Sequence, residues 1–234
     1  MFHKTYLASG VLSLSVAAVA FIGGCARRLD TSESILANED SEYVVLVALD
    51  LSGSFRQLMA EDGKGYEFAR MLLDRYFKEQ IGNHNKIILA QISNTKQSLL
   101  WEGTPMELRA DFPSPEVFRD FLIKNSDPTG SRVHDGIAHA LEYLMGEPAI
   151  ASRKAKSAVF VLSDMEDNTP NTAESGNRLV QALNAYGQLG GVVGMYYVDQ
   201  MLVPVWRQHL IGAGLKDHRV ESIIVQRPTL PSFE

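Results

Sequence analysis

Asp50-Leu51-Ser52-Gly53-Ser54 sets one carboxylate and two hydroxyls at alternate positions. The run follows Tyr43 to Leu49, whose continuous apolar character from Val44 reads as a strand buried on both faces. As the chain leaves such a strand, all three oxygens can point into one crevice, and oxygens of this kind suit a hard divalent cation. A second acid, Asp164, comes after Ser163 at the end of another apolar run, Ala158 to Leu162. Ligands of open α/β sheets sit at the carboxyl ends of strands where the strand order reverses, so both acids are expected there. Two carboxylates brought together repel unless something positive lies between them, which is a physical argument for a bound cation. The plainer reading makes Asp50 a capping acid and Ser52 and Ser54 turn residues, and it weakens once Asp164 is placed beside them.

The elements that must position these residues are legible in outline. Short β-branched runs, Tyr43 to Leu49, Lys86 to Ile92, Ser98 to Trp101, Ala158 to Leu162, Val192 to Val198 and Val220 to Val225, alternate with helical patterns. Ala69, Leu72, Leu73, Tyr76 and Phe77 repeat at helical spacing, as do Val133, Ile137, Leu141 and Leu144, and Leu179, Ala182, Leu183 and Tyr186. Ser114-Pro115 opens another helix as cap and first-turn proline. Asn94 to Gln97 is too short for a parallel crossover, so the second and third runs should form a hairpin. The pattern predicts an α/β fold: a doubly wound, Rossmann-like central sheet of about six strands, mostly parallel with one antiparallel edge strand, and helices on both faces. A last helix is expected over about Val205 to Ala213, after Pro204.

The resemblance that these parts carry is to the von Willebrand factor A (VWA) domain family. Its metal-ion-dependent adhesion site (MIDAS) combines D-x-S-x-S after the first strand, a Thr at the start of a middle helix and an Asp after the fourth strand. Asp50, Ser52 and Ser54 match the first part. Val161-Leu162-Ser163-Asp164-Met165-Glu166-Asp167-Asn168 is similar to the family's apolar strand followed by T-D-G-E-D-N, with Asp164 at the metal position. Gly130-Ser131-Arg132-Val133-His134-Asp135-Gly136-Ile137 aligns with G-T-x-L-Y-D-A-I, so Ser131 stands where Thr is usual. Serine keeps the hydroxyl and loses the methyl. Thr129 is a second candidate oxygen, out of register with the helix.

The resemblance implies one Mg²⁺ or Mn²⁺ held by Ser52, Ser54 and the residue at 131, with Asp50 and Asp164 in contact directly or through water. It also implies a coordination position left for an Asp or Glu carboxylate from a partner protein. Arg56, and Met165 where the family usually has Gly, are expected at the rim of the site with Thr129, narrowing its mouth. Glu166, Asp167 and Asn168 read mostly as a solvated turn. His134 and Asp135 are neighbours on a helix, point about 100° apart and read as polar first-turn residues. Tyr196, Tyr197, Trp206 and Trp101 read as core and rim packing.

The chain has 234 residues, 45% hydrophobic and 21% charged, which suits one packed domain. Lys and Arg number 22 against 28 Asp and Glu, with no basic cluster, so nucleic acid is not an expected partner. The single cysteine excludes an intramolecular disulfide and every Cys-rich metal site within this sequence. It sits at Cys25, after a positive start at Met1 to Lys4 and an uncharged, largely apolar or small-residue run from Thr5 to Ile22. Phe21-Ile22-Gly23-Gly24-Cys25 resembles a bacterial lipobox, which implies cleavage before Cys25 and lipidation of its thiol; an uncleaved signal anchor is the other reading. Residues 1–24 are then the leader, 25–42 a polar tether, 43–226 the VWA-like domain and 227–234 a tail without a place in the sheet.

These readings predict an extracytoplasmic lipoprotein of the cell envelope, on the outer membrane facing the periplasm if the source is Gram-negative. Its domain is expected to act as an adhesion or assembly module, held to the membrane by the N-terminal lipid, and not as an enzyme. One alternative is a lipoprotein that keeps the VWA fold without a working metal site. Another is a metal-assisted phosphohydrolase, against which position 52 is Ser where that chemistry needs a second acid; no nucleotide-binding or nucleophile-elbow motif occurs.

Overall fold

Val44 to Leu49 is buried at every position, and successive side chains enter two different cores. Val44, Leu46 and Ala48 face one, and Val45, Val47 and Leu49 the other, as the two-residue period of a strand covered on both faces requires. The computed structural model describes residues 42–53, 55, 57–60, 63–79, 85–93, 98–127, 130–168 and 172–230. The leader, Cys25 and the tether up to residue 41 lie outside these residues, as do Ser54, Arg56 and Thr129.

The strands are β1 (Tyr43–Leu49), β2 (Lys86–Gln91), β3 (Leu99–Gly103), β4 (Lys156–Leu162), β5 (Val192–Val198) and β6 (His218–Ser222). They form a six-stranded sheet in the order β3-β2-β1-β4-β5-β6. Among the described residues only β2 and β3 pair antiparallel; β1–β2, β1–β4, β4–β5 and β5–β6 are parallel. The predicted doubly wound sheet with one antiparallel edge is therefore the observed one. The order reverses between β1 and β4, and the carboxyl ends of those strands are where ligands of such sheets bind.

The helices are α1 (Lys64–Glu79), α2 (Pro105–Asp111), α3 (Pro115–Lys124), α4 (Val133–Gly146), α5 (Pro148–Ala151), α6 (Thr172–Gln188) and α7 (Val203–Gly212). One face of the sheet is covered by α4, α6 and α7 through Ile137, Leu141, Leu183, Tyr186, Trp206 and Leu210. The other is covered by α1 to α3 through Phe68, Leu72, Leu108, Phe118 and Leu122. Ser114 caps α3, its Oγ accepting from the Val117 amide at 3.4 Å with Pro115 in the first turn. Helix α2 was not expected. It starts with a capping box in which the Glu107 amide donates to Thr104 Oγ1 and the Thr104 amide to Glu107 Oε2.

One expectation needs correction, and two further details could not be read locally. The last strand ends at Ser222, not Val225: the Val225 amide donates back to the Ser222 carbonyl in a turn, and Ile224 is exposed. Strand β5 has the expected bounds, but its register with β6 shifts between Met195 and Val198 and Tyr197 has φ 64. That bulge turns Tyr196 and Tyr197 to the same face. Residues 227–230, outside the sheet, are anchored: Leu230 is buried and the Thr229 carbonyl accepts from Tyr196 Oη at 3.1 Å.

Candidate metal site at the carboxyl end of the sheet

The β1–β4 ladder runs one residue beyond the strands, with the Asp50 amide donating to the Leu162 carbonyl at 2.9 Å. This sets Asp50 directly beside Ser163 and Asp164. The Asp50 carboxylate is fully buried. Its Oδ1 accepts from the Ser52 amide at 2.9 Å, and its Oδ2 from Ser163 Oγ at 2.8 Å. Ser131 Oγ donates weakly across both oxygens, at 3.4 and 3.3 Å. Burial pushes the pKa of Asp50 above the ordinary carboxylate value; the hydrogen bonds from Ser52 and Ser163 oppose this, and the charge of Asp164 adds to it.

Ser131 reaches this place because its loop arrives in an unusual way. Gly130 has φ 148, a conformation that L side chains rarely adopt. The N-cap position of α4 is Arg132, whose side chain makes no cap bond. Ser131, a residue type suited to capping, instead turns its buried hydroxyl to Asp50. Helix α4 then packs hard on the end of β2, since a Cβ at Gly136 would lie 2.6 Å from Ile92 Cα.

Asp164 is half-buried, and its Oδ1 accepts from the Glu166 amide at 3.0 Å, so the loop closes on the acid in an Asx turn. Its carbonyl accepts from the Asp199 amide at 2.9 Å, which ties the loop to the end of β5. The structure thus brings Ser52 and Ser131 onto Asp50, with Asp164 close enough for its charge to act on the same carboxylate. Ser54, Arg56 and Thr129, the other residues named for this site or its rim, lie outside the described residues.

Met165 does not lie at the rim. Its side chain is 2% exposed and belongs to the core beneath α4 and α6, while its backbone has φ 66. The left-handed backbone turns the side chain inward, away from the mouth. Asp167 is not solvated either: its side chain is 8% exposed, and Oδ2 lies 2.7 Å from His134 Nδ1. Ser163 was missed as a site residue. Besides donating to Asp50, its Oγ accepts from the Met165 amide at 2.8 Å and so holds the loop in place. Its position after the apolar run Ala158 to Leu162 and before an acid was the available signal.

The donor set is two carboxylates and hydroxyls, all hard oxygens, the kind Mg²⁺ or Mn²⁺ takes. Among the described residues no group of three His, Cys, Asp or Glu side chains could hold a metal, so a cation here would rely on hydroxyls. A buried acid beside a second acid, with neutral hydroxyls turned toward it, fits such an ion.

No protein-family model matches the sequence, and no curated protein matches it. Solved structures do. The crystal structure of the SpRpn10 VWA domain is 12% identical with a TM-score of 0.51, over 80% of this chain and 90% of that one. The crystal structure of the TFIIH p34 N-terminal domain is 9% identical with a TM-score of 0.50, over 78% and 91%. At these identities the likeness is one of fold, and the fold of this chain is VWA-like.

Proposed function

We propose that this chain is a lipid-anchored, extracytoplasmic protein whose VWA-like domain binds a partner protein through a divalent cation. Mg²⁺ or Mn²⁺ would be held by Asp50, Ser52, Ser54, Ser131 and Asp164, and would supply an electrophilic position for an Asp or Glu of the partner. The observation that carries the reading is the convergence of Asp50, Ser52, Ser131 and Asp164 at the point where the strand order reverses. Where the acids reach the ion through water, direct ligands that are neutral hydroxyls leave it electrophilic toward an incoming carboxylate. The chain's own residues hold and orient; the reading assigns no bond-breaking step to them, and the protein is proposed as a binding module and not an enzyme.

Titration of the full-length chain in mild detergent with Mn²⁺ and Mg²⁺ tests this, by calorimetry and thermal unfolding. Binding that saturates one hundredfold above Kd should add about 2.7 kcal/mol to stability. Asp50→Asn should abolish that gain without lowering the melting temperature in EDTA, because it removes a buried charge and keeps the shape. A wild-type protein indifferent to both ions overturns the metal reading. One observation favours the alternative of a metal-free scaffold: Ser52, Ser131 and Ser163 already donate to both Asp50 oxygens. The same titration separates the two. The anchor has its own check, incorporation of labelled fatty acid, which should be lost in Cys25→Ala.

A further inference from the structure

Two contacts tie the loop after β4 to the start of α4. The Asn168 amide donates to the Ser131 carbonyl at 2.9 Å. His134 Nδ1 stands 2.7 Å from Asp167 Oδ2, off the line of an ideal hydrogen bond and with both atoms buried. A carboxylate leaves water readily only when a partner receives it. Trp206 of α7 packs on the same imidazole, with ring centroids 5.7 Å apart, and is itself 2% exposed. The His134 ring therefore contacts a carboxylate and an indole from two other elements.

The spacing along the chain gives this contact its meaning. Ser131 lies three residues before His134, and Asp164 three residues before Asp167. The ladder with β1 ends at Leu162, so the loop carrying Asp164 depends on contacts of its own. Ser163 and the bond from Asp199 to the Asp164 carbonyl hold its near side, and the Asn168 and Asp167 contacts hold its far side. We propose that His134 and Asp167 are positioning residues, whose contact holds Ser131 and Asp164 at the spacing that one divalent cation requires. The proposal rests on the metal reading above. Neither residue touches the ion; both act through the loops that carry its ligands, as outer-sphere partners do in other metal sites.

The test uses the full-length chain with Mn²⁺ as probe and three readouts: Mn²⁺ affinity, melting temperature in EDTA, and exchange of the Asn168 amide. His134→Phe keeps a ring against Trp206 and removes the polar contact. It should weaken Mn²⁺ binding by about tenfold or more, speed Asn168 exchange and lower the melting temperature in EDTA, since the buried Asp167 carboxylate loses its partner. His134→Asn, whose amide nitrogen can stand near the Nδ1 position, should recover most of the affinity. Asp167→Asn added to His134→Phe should cost no further affinity, as expected for two residues acting through one contact. If wild type binds Mn²⁺ and His134→Phe binds it equally well, the positioning role is overturned and the metal reading stands. Failure of the wild type to bind overturns the metal reading and the positioning role with it.

Discussion

Asp50 carries a carboxylate where water does not reach it, and the groups around it are arranged for an anion: one amide and two hydroxyls donate to its two oxygens. Ser163 completes that arrangement and was overlooked in the sequence because it reads as a spacer between a strand and the more conspicuous Asp164. Met165 was misplaced for a related reason. Its proximity to Asp164 in sequence suggests the rim, but φ 66 sends its side chain into the core. A left-handed backbone costs an L residue about 1–2 kcal/mol, and glycine is spared that strain. Met165→Ala should therefore lose about 2–5 kcal/mol for the buried side chain, and Met165→Gly about 1 kcal/mol less, the reverse of the order in ordinary backbone. Urea unfolding in EDTA checks the order, and an alanine variant more stable than the glycine one contradicts the argument.

At the scale of elements, the placement of Ser131 depends on how closely α4 meets the sheet. Gly136 packs against the backbone of Ile92, and a Cβ there would lie 2.7 Å from the Ile92 carbonyl oxygen. Gly136→Ala should push the start of α4 away from the end of β2, costing about 1–3 kcal/mol and moving Ser131 away from Asp50. Urea unfolding and Mn²⁺ titration should both register the change; a loss of stability with unchanged affinity would separate helix packing from the site. Most elements were legible from periodicity because their buried positions recur at two or at three to four residues. Helix α2 escaped that search, having only Leu108 and Pro105 buried along its length, although Thr104-Pro105-Met106-Glu107 spelled out its capped start. The β5 bulge escaped it too, since nothing local to Tyr196-Tyr197 marks two successive side chains for one face.

Across the whole molecule, the chain closes on itself at its carboxyl-terminal end. Leu230 packs into the core under α1 to α3, and Tyr196 Oη donates to the Thr229 carbonyl. Leu230→Ala should cost about 2 kcal/mol, measured by urea unfolding; an effect near zero would mean that the segment beyond β6 is not held in solution. A segment with two prolines and no strand pattern offers no local sign of such docking, because the surface that receives it is built by residues far away in sequence. Alternation, β-branched runs and a connection too short for a crossover were enough, in the sequence alone, to specify a doubly wound sheet with one antiparallel edge. They were enough also to put Asp50 and Asp164 at the ends of central strands, since those features are local and the sheet rules are few. The facing of Ser131 and Ser163 toward Asp50, the inward turn of Met165 and the meeting of His134 with Asp167 were decided only by the tertiary structure. Each depends on backbone angles or on contacts between distant loops, and a residue's type and neighbours do not determine those.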